Sequence, residues 1–513
     1  MSNRPNRRDF LKMAGLLPAS LLAPRAIQKL NANLLRQDKP GNNVLIIVFD
    51  AFSAYHIATY GYQRQTTPNI ARLAEQAVVY HNHYAGSNFT TPGTASLLTG
   101  TLPWTNRALK LTGGVIESFA SRSIFSAFKN HHRIAYSHNP WANKLLEQFA
   151  HDIDELVPWL SLFLQSYDGL IHTVFKNDYD IASVSWARNV NMEAQGSAYS
   201  LFLSHIYEAL REKNIASIQQ VFPRGIPSIG TGSDVNFILE QAVNWVGDRL
   251  ASIPQPFLGY FHFLPPHEPY RASREFCNKF SNDNFKPVEK PEDVFTQKKT
   301  VYELLKKRAA YDEFILYADK QFNILFEQLK ASGVLENTWV VLTSDHGEMF
   351  ERGILAHGTD ALYQPVIRVP LMIFEPGRKT RMDIHSPTSA IDVMPTFLHV
   401  TGQAIPPWAE GRILPPYSPA DPDPNRSVYV VRANKNDQNR PIWPGSLALT
   451  KGRYKLHYYF GYKERNITEM IKLYDVETDP EELVELSQSG KGIASELLSE
   501  LKTKLAEADK PYA

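Results

Sequence analysis

Eight residues, Asn43 to Asp50 (NVLIIVFD), constrain this chain more than any other stretch. The run is apolar from Val44 to Phe49 without alternation, the pattern of a central parallel strand covered on both faces. It ends in a carboxylate, which is costly to bury unless a cation or hydrogen-bond donors compensate. Further buried-strand runs are RIAYSH from Arg133, FLGYFHF from Phe257, TWVVLTS from Thr338 and VPLMIFE from Val369, with VVYHNHY read as a second strand. Helical patterns alternate with them. TTPNIARLAEQAVVY opens with a Thr cap and a Pro near its first turn, and YDEFILYADKQFNILFEQLKASG closes on Gly333. This alternation predicts an α/β fold over 43–400, with a doubly wound, mostly parallel central sheet and helices on both faces.

Two regions break the rhythm. Residues 105–235 are rich in aromatic and polar side chains and read as an insertion or lid over one end of the sheet. Residues 401–513 begin with Pro-rich turns, continue with the short strands SVYVV and RYKLHYY, and end in a charged helix. They predict a small α+β subdomain with an antiparallel sheet. Ahead of the fold, residues 1–26 carry Arg7-Arg8, then Phe10-Leu11-Lys12, then a short apolar run ending in small residues. That order resembles a bacterial twin-arginine signal, cleaved near Ala23 or Ala26, with an amphipathic anchor as the alternative. Residues 27–42 read as a linker. The expectation is therefore a periplasmic or extracellular protein, with the twin-arginine export machinery as a partner and no stable membrane span. A formal net charge of +1 over 513 residues argues against a nucleic-acid partner. The one cysteine, Cys277, excludes an intramolecular disulfide and a cysteine-cluster metal site, and reads as a buried, inert thiol.

In an open α/β sheet, ligands bind at the carboxyl ends of the strands. Collected there are Asp50; Thr90 and Thr91 in SNFTTPGTASLLTG; His262 and His267 in HFLPPHEPY; Asp345 and His346 in SDHGE; and His357 in AHG. Taken alone, Asp50 reads as a helix cap or a structural hydrogen bond. The Asp345–Glu348 turn taken alone reads equally well as local hydrogen bonding or as a site. Together, two carboxylates after buried strands and several imidazoles on one rim favour a divalent metal, and nitrogen ligands favour zinc or manganese over magnesium. The stretch Ser87–Gly100 reads as a strand giving way to a short helix, Ala95–Leu98. Thr90 there is either a helix cap or a nucleophile, because a hydroxyl on a divalent cation loses its proton readily. Asn-x-Ser/Thr matches at Asn88, Asn425 and Asn466 are discounted in a bacterial chain.

The order of these pieces resembles the sulfatase and alkaline-phosphatase superfamily over nearly the whole mature chain. The likeness runs from NVLIIVFD through TTPNIARLAEQAVVYHNHYAGSNFTTPGTASLLTG, HFLPPHEPY, VVLTSDHGE and SAIDVMPTFLHVTG to LYDVETDPEELVELS. It implies metal ligands at Asp50, Asp345 and His346, with Thr90 as both metal-bound group and nucleophile. The metal would be Zn, Mn, Mg or Ca. His267 and His357 would contact the anionic group, the leaving group or a second metal, with His262 and Arg368 in supporting roles.

Departures from the family pattern shape the reading. Formylglycine sulfatases carry Cys or Ser, then x-Pro-x-Arg, where this chain has Thr90 and Thr94, which implies a site that does not depend on formylglycine. Ala51 stands where a second aspartate is usual, no base is found around Trp104-Thr105-Asn106, and His357 replaces a lysine. A threonine nucleophile resembles the phosphodiesterase and transferase branches. The expected activity is hydrolysis of phosphate or sulfate esters of a small molecule or glycan. In that scheme the helix amides after Pro92 and the histidines stabilise charge, and His267 is a general acid. The rival readings are a phospho-alcohol transferase acting on an envelope glycan and a non-catalytic binding protein on the same fold.

Overall fold

The computed structural model describes residues 42–164, 215–233 and 235–513. The twin-arginine segment, the linker up to residue 41 and the middle of region 105–235 lie outside the described residues. Asn43–Phe49 (β1) sits inside an eight-stranded sheet. The other strands are β2 (Val78–Tyr80), β3 (His132–Ser137), β4 (Glu155–Leu156), β5 (Phe257–Phe263), β6 (Thr338–Thr343), β7 (Leu371–Phe374) and β8 (Met382–Ile384). Their order is β8-β2-β7-β6-β1-β5-β3-β4. β1 pairs in parallel with both β5 and β6, so that Val48 lies beside His262 on one side and Thr343 on the other. β7 runs antiparallel to both its neighbours, β6 and β2, and the sheet is therefore mixed around a parallel centre.

The longer helices are α1 (Pro68–Ala74), α2 (Thr90–Thr99), α3 (Pro140–Gln148), α4 (Leu239–Leu250), α5 (Val301–Ala331), α6 (Val393–Val400) and α7 (Lys491–Asp509). The unbroken apolar run of β1 has a direct cause. Leu45, Ile47 and Phe49 enter a core shared with α1, α4 and α5, while Val44, Ile46 and Val48 enter a second core under α2, α3 and α6. Both side-chain rows are fully buried, each residue contributing about 1.5–3 kcal/mol of transfer free energy as an upper estimate.

Several sequence expectations are refined. VVYHNHY is not one strand: Val78–Tyr80 stays in the central sheet, whereas His83–Tyr84 pairs with Thr388–Ser389 in a separate two-stranded sheet. Thr67 precedes α1 without capping it through its side chain. The amides of Asn69 and Ile70 donate instead to Asp319 of α5, a tertiary cap invisible to local reading. α5 starts earlier than its apolar pattern implies, at a capping box between Thr300 and Glu303, and Gly333 takes the left-handed conformation just beyond its end. The described part of region 105–235 supplies β3, β4 and α3 to the central layers. Cys277 is half-buried rather than buried, and partial burial pushes its thiol pKa up.

The C-terminal region forms a four-stranded antiparallel sheet of β9 (Val428–Arg432), β10 (Gly445–Lys451), β11 (Tyr454–Tyr462) and β12 (Ile467–Asp475). One face packs on Ala494, Leu497 and Leu501 of α7. The other packs, through Val428, Val430 and Tyr459, on a loop of the larger layer that includes Ala361 to Tyr363. Among the described residues, no helix is long and apolar enough to cross a membrane.

Candidate active site

Parallel pairing of β1 and β6 delivers Asp50 and Asp345 to one edge of the sheet, one residue beyond β1 and two beyond β6. Ala51 turns the chain at once, with a left-handed φ of 59°, and its amide donates to Asp345 Oδ1 at 3.3 Å. One ligand atom each from Asp50, Asp345 and His346 lie within 4.8 Å of one another, and all three residues are buried. His346 Nδ1 faces the Gly347 carbonyl at 2.9 Å, so it carries the ring proton, and Nε2 is left as a lone pair. That lone pair lies 3.4 Å from Asp50 Oδ1 and 3.5 Å from Asp345 Oδ2, two buried oxygens with no hydrogen-bond donor among the described residues. Three buried lone-pair donors converging in this way repel one another unless a cation sits among them, and the two-carboxylate, one-imidazole set fits a divalent metal.

Thr90 is the first residue of α2, ten residues long and therefore longer than Ala95–Leu98; Ser87–Phe89 is not a strand. The helix is preceded by Phe89, which supplies no side-chain cap, so the hydroxyl of Thr90 is not used as one. Its Oγ1 lies 3.4 Å from His346 Nε2 and accepts the Asn139 amide at 3.3 Å. Thr91 points away and donates to the Leu111 carbonyl. The Gly93 amide is taken by the Phe89 carbonyl at 3.1 Å. The amides after Pro92 thus belong to the helix, and the amide groups free to meet an anion are those ahead of it. Gly93 is required for closeness: a Cβ there would lie 2.2 Å from the Asp345 carbonyl oxygen.

Asn139 escaped sequence analysis. It caps α3, its Oδ1 accepting from Trp141 N and Ala142 N, while its Nδ2 donates to Asp50 Oδ2 at 2.6 Å. The Asn-Pro pair closing β3 was a readable cap signal, but nothing in it announced the second role.

His262 Nε2 lies 3.2 Å from Asp50 Oδ2, which places it against the carboxylate pair. Burial would lower its pKa, but Asp345 and Asp50 outweigh that and raise it. For Asp50, burial acts upward and the positive charges of His267 and His262, with the hydrogen bond from His262, prevail and hold the carboxyl low; Asp345 is raised by burial and by Asp50. His267 and His357 form the outer wall, their ring centres 4.9 Å apart, and His357 lies 4.3 Å from the ring of His346. His267 Nδ1 is held by the Glu268 carbonyl at 2.7 Å, and His357 Nδ1 by Glu348 Oε1 at 3.0 Å. Burial lowers His267, but Asp50 and Glu348 outweigh it and raise its pKa; burial pushes His357 down. Glu348, also bonded by the Tyr270 hydroxyl, is pushed up to about 7, chiefly by burial.

Arg368 does not join this group. Its Nε donates to the His81 carbonyl and its guanidinium lies over the Tyr55 ring. Arg432, unremarked in the sequence, reaches in from β9: it donates to Asp360 Oδ1 at 2.8 Å and to Asn88 Oδ1 at 3.1 Å. Asn88 in turn donates to the carbonyls of His357 and Thr359, so its amide is fully engaged.

The chain is similar to known proteins over most of its length. The family model described as Sulfatase matches residues 42–403, and that of the N-sulphoglucosamine sulphohydrolase C-terminal region matches 357–511. The choline-sulfatase of Rhizobium meliloti is 23% identical over 477 residues, covering 88% of this chain and 83% of its own. Among solved structures, the phosphonate monoester hydrolase of Agrobacterium radiobacter superposes with a TM-score of 0.61 at 18% identity, covering 91% of this chain and 96% of that one. A 2-O GAG sulfatase, BT1596, superposes with a TM-score of 0.63 at 16% identity, covering 92% and 93%.

Proposed function

The chain belongs to the sulfatase family, and on that premise we propose that it is an exported, metal-dependent hydrolase of sulfate or phosphate-type esters of a sugar or other small alcohol. In this reading Thr90 itself is the nucleophile. The observation that carries it is the position of Thr90 Oγ1, 3.4 Å from His346 Nε2 at the rim of the Asp50–Asp345–His346 group. Asp50, Asp345, His346 and Thr90 would hold the cation. When bound, the cation lowers the pKa of the threonine hydroxyl and screens charge on the ester oxygens.

The chain's own groups do the rest. Asn139 donates to Thr90 Oγ1, so the hydroxyl hydrogen is directed elsewhere and a lone pair is fixed in orientation. Thr90 gives its hydroxyl proton to solvent, from which His267 is later reprotonated; Oγ attacks sulfur or phosphorus in line, and the bond to the ester oxygen breaks. His267, whose surroundings favour its protonated form, gives the departing oxygen a proton from Nε2. His357, whose imidazole is kept neutral by burial, binds rather than protonates. Water subsequently cleaves the Thr90 ester and returns the free hydroxyl. Ala51 and Thr94, at positions where formylglycine sulfatases carry aspartate and arginine, fit a site that does not use an aldehyde.

The test is a panel of sulfate esters and phosphate and phosphonate mono- and diesters with metal-replete protein, beside Thr90→Ala. Intact-mass analysis accompanies it, and metal content is measured in both proteins. The expected result is hydrolysis by the wild type, an unmodified Thr90, and loss of about six orders of magnitude in kcat for Thr90→Ala, as for removal of other activated nucleophiles. Full activity of Thr90→Ala would refute the assignment.

A further inference from the structure

β2 runs parallel to β1, because antiparallel β7 separates it from β6. The ends of β2 and β8 therefore open on the same edge of the sheet as Asp50 and Asp345. There His81 and His385 follow the two strands and form one wall of a cleft of about 840 Å³. The opposite wall is the tip of the β10–β11 hairpin, with Arg453, and the cleft thus spans the seam between the central sheet and the C-terminal subdomain.

The lining is rich in hydrogen-bond donors. Arg368 spends Nε on the His81 carbonyl, while its two terminal nitrogens have no hydrogen-bond partner among the described residues. Arg453 is paired with Asp475. The imidazoles of His81 and His385 stack at 4.4 Å with 10° between their planes; His81 Nε2 is held by Asp383 Oδ1 at 2.6 Å, whereas the His385 ring makes no hydrogen bond among the described residues. Ser386 Oγ is buried without a partner. Against these donors stand Glu477 in the lining and, behind it, Asp383 and Asp475, which hold His81 and Arg453. The free end of the Arg368 guanidinium, the unbonded His385 ring and the unpaired Ser386 hydroxyl around a roomy opening match a tetrahedral oxyanion, which accepts several hydrogen bonds in a fork geometry.

We infer that this cleft is a second oxyanion-binding site, taking a sulfate or phosphate group and distinct from the Thr90 centre. The inference rests on the proposed activity only for the source of the anion: a further anionic group on the same substrate, or the inorganic anion released by hydrolysis.

Titration calorimetry on metal-replete protein tests it without recourse to turnover. Inorganic sulfate is titrated into wild type, His385→Ala and the double variant Arg368→Gln/His385→Ala, and folding of each is checked by circular dichroism. Two binding events are expected in wild type, one of them weakened roughly tenfold or lost in the variants, the loss typical of removing a charged hydrogen-bond donor. The exposed His385 ring has no bond to break, so the single variant keeps the test open should the double variant not fold. A methyl glycoside with one sulfate is then compared with its two-sulfate counterpart. If the second sulfate strengthens binding in wild type but not in the variants, the site reads the substrate. If that difference is unchanged while the sulfate event is lost, the site holds the free anion. Superimposable sulfate isotherms for wild type and variants would overturn the inference, even in an enzyme whose ester hydrolysis is established. Conversely, loss of the sulfate event in a protein that hydrolyses no ester would leave the cleft assigned and the activity refuted.

Discussion

Asn139 holds α3 and the candidate nucleophile at once, and substitutions there separate the two jobs. Its Oδ1 caps the helix through Trp141 N at 2.8 Å and Ala142 N at 3.4 Å. Its Nδ2 bonds Asp50 at 2.6 Å and Thr90 at 3.3 Å. Asn139→Ala removes everything. Loss of the cap costs about 1 kcal/mol, and loss of a donor to a buried carboxylate costs about 1.5–3 kcal/mol. The expected fall in unfolding free energy is thus about 2.5–4 kcal/mol. Asn139→Ser retains a side-chain oxygen suited to the N-cap but is too short to bridge to Asp50. It should recover about 1 kcal/mol relative to alanine, and none of the activity. If the contact to Thr90 persists in the transition state, kcat falls about 10- to 100-fold in both variants. Urea denaturation with metal present gives the stabilities, and initial rates on the best ester of the panel give kcat. A serine variant as unstable as alanine would refute the cap. A serine variant with wild-type kcat would refute the claim that the Nδ2 bonds orient Thr90.

The close approach of α2 to Asp345 makes Gly93→Ala destabilising by about 1–3 kcal/mol, through overpacking against unyielding backbone. Gly358→Ala, where a Cβ meets nothing within 4 Å, should stay within about 0.5 kcal/mol; equal thermal shifts for the two would defeat the argument. His138, fully buried and stacked on Phe237, is lowered to about 3 by burial. Because its folded pKa lies below the ordinary value of about 6.5, the unfolded chain binds the extra proton between the two. Stability is therefore lost as pH falls from about 6.5 towards 3, at up to about 1.4 kcal/mol per pH unit. His138→Phe keeps the ring and removes the proton, so its urea midpoint should depend less steeply on pH between 6 and 4; parallel slopes would contradict this. Arg432→Met, which frees Asp360 and Asn88, should cost about 1–3 kcal/mol and lower kcat without changing metal content. Unaltered kcat would show that β9 does not support the His357 loop.

The parts of this fold that were legible are those whose cause is local. NVLIIVF reads as a central strand because helices cover both of its side-chain rows. Asp50 and Asp345 stand out because a carboxylate directly after such a run needs compensation. The antiparallel direction of β7 was not legible, since an apolar run reads the same whichever way it is threaded. VVYHNHY misled because both pieces have strand propensity, while the change of sheet at His81-Asn82 depends on partners some 300 positions away. The Thr67 cap was displaced by Asp319, again a long-range partner. Asn139 and Arg432 were missed for related reasons. The first carries a common local signal that conceals a second function. The second reaches Asn88 from 344 positions away, and only the alternation of β9 puts it on the same face as Val428 and Val430.

The histidines also explain why the pocket is ordered before any ligand arrives. His346, His267 and His357 each commit Nδ1 to an acceptor, the carbonyls of Gly347 and Glu268 and the carboxylate of Glu348. An imidazole whose Nδ1 is held in this way has one tautomer and one ring orientation, so all three leave Nε2 for the cleft. The acceptors differ, and the difference carries chemical weight. A neutral carbonyl merely orients, whereas a carboxylate also adds charge. Glu348, raised to about 7, stands close to the point at which it gains or loses that charge near neutrality. Protonation on Oε2 leaves Oε1 to accept from His357 Nδ1 but removes the charge that strengthens this bond, while the bonds to Gly347 and Glu268 keep neutral acceptors at any pH. Of the three rings, His357 is therefore the one whose hold depends on solution conditions, and Tyr270, bonded to the other Glu348 oxygen, is placed to keep that carboxyl in position in either state.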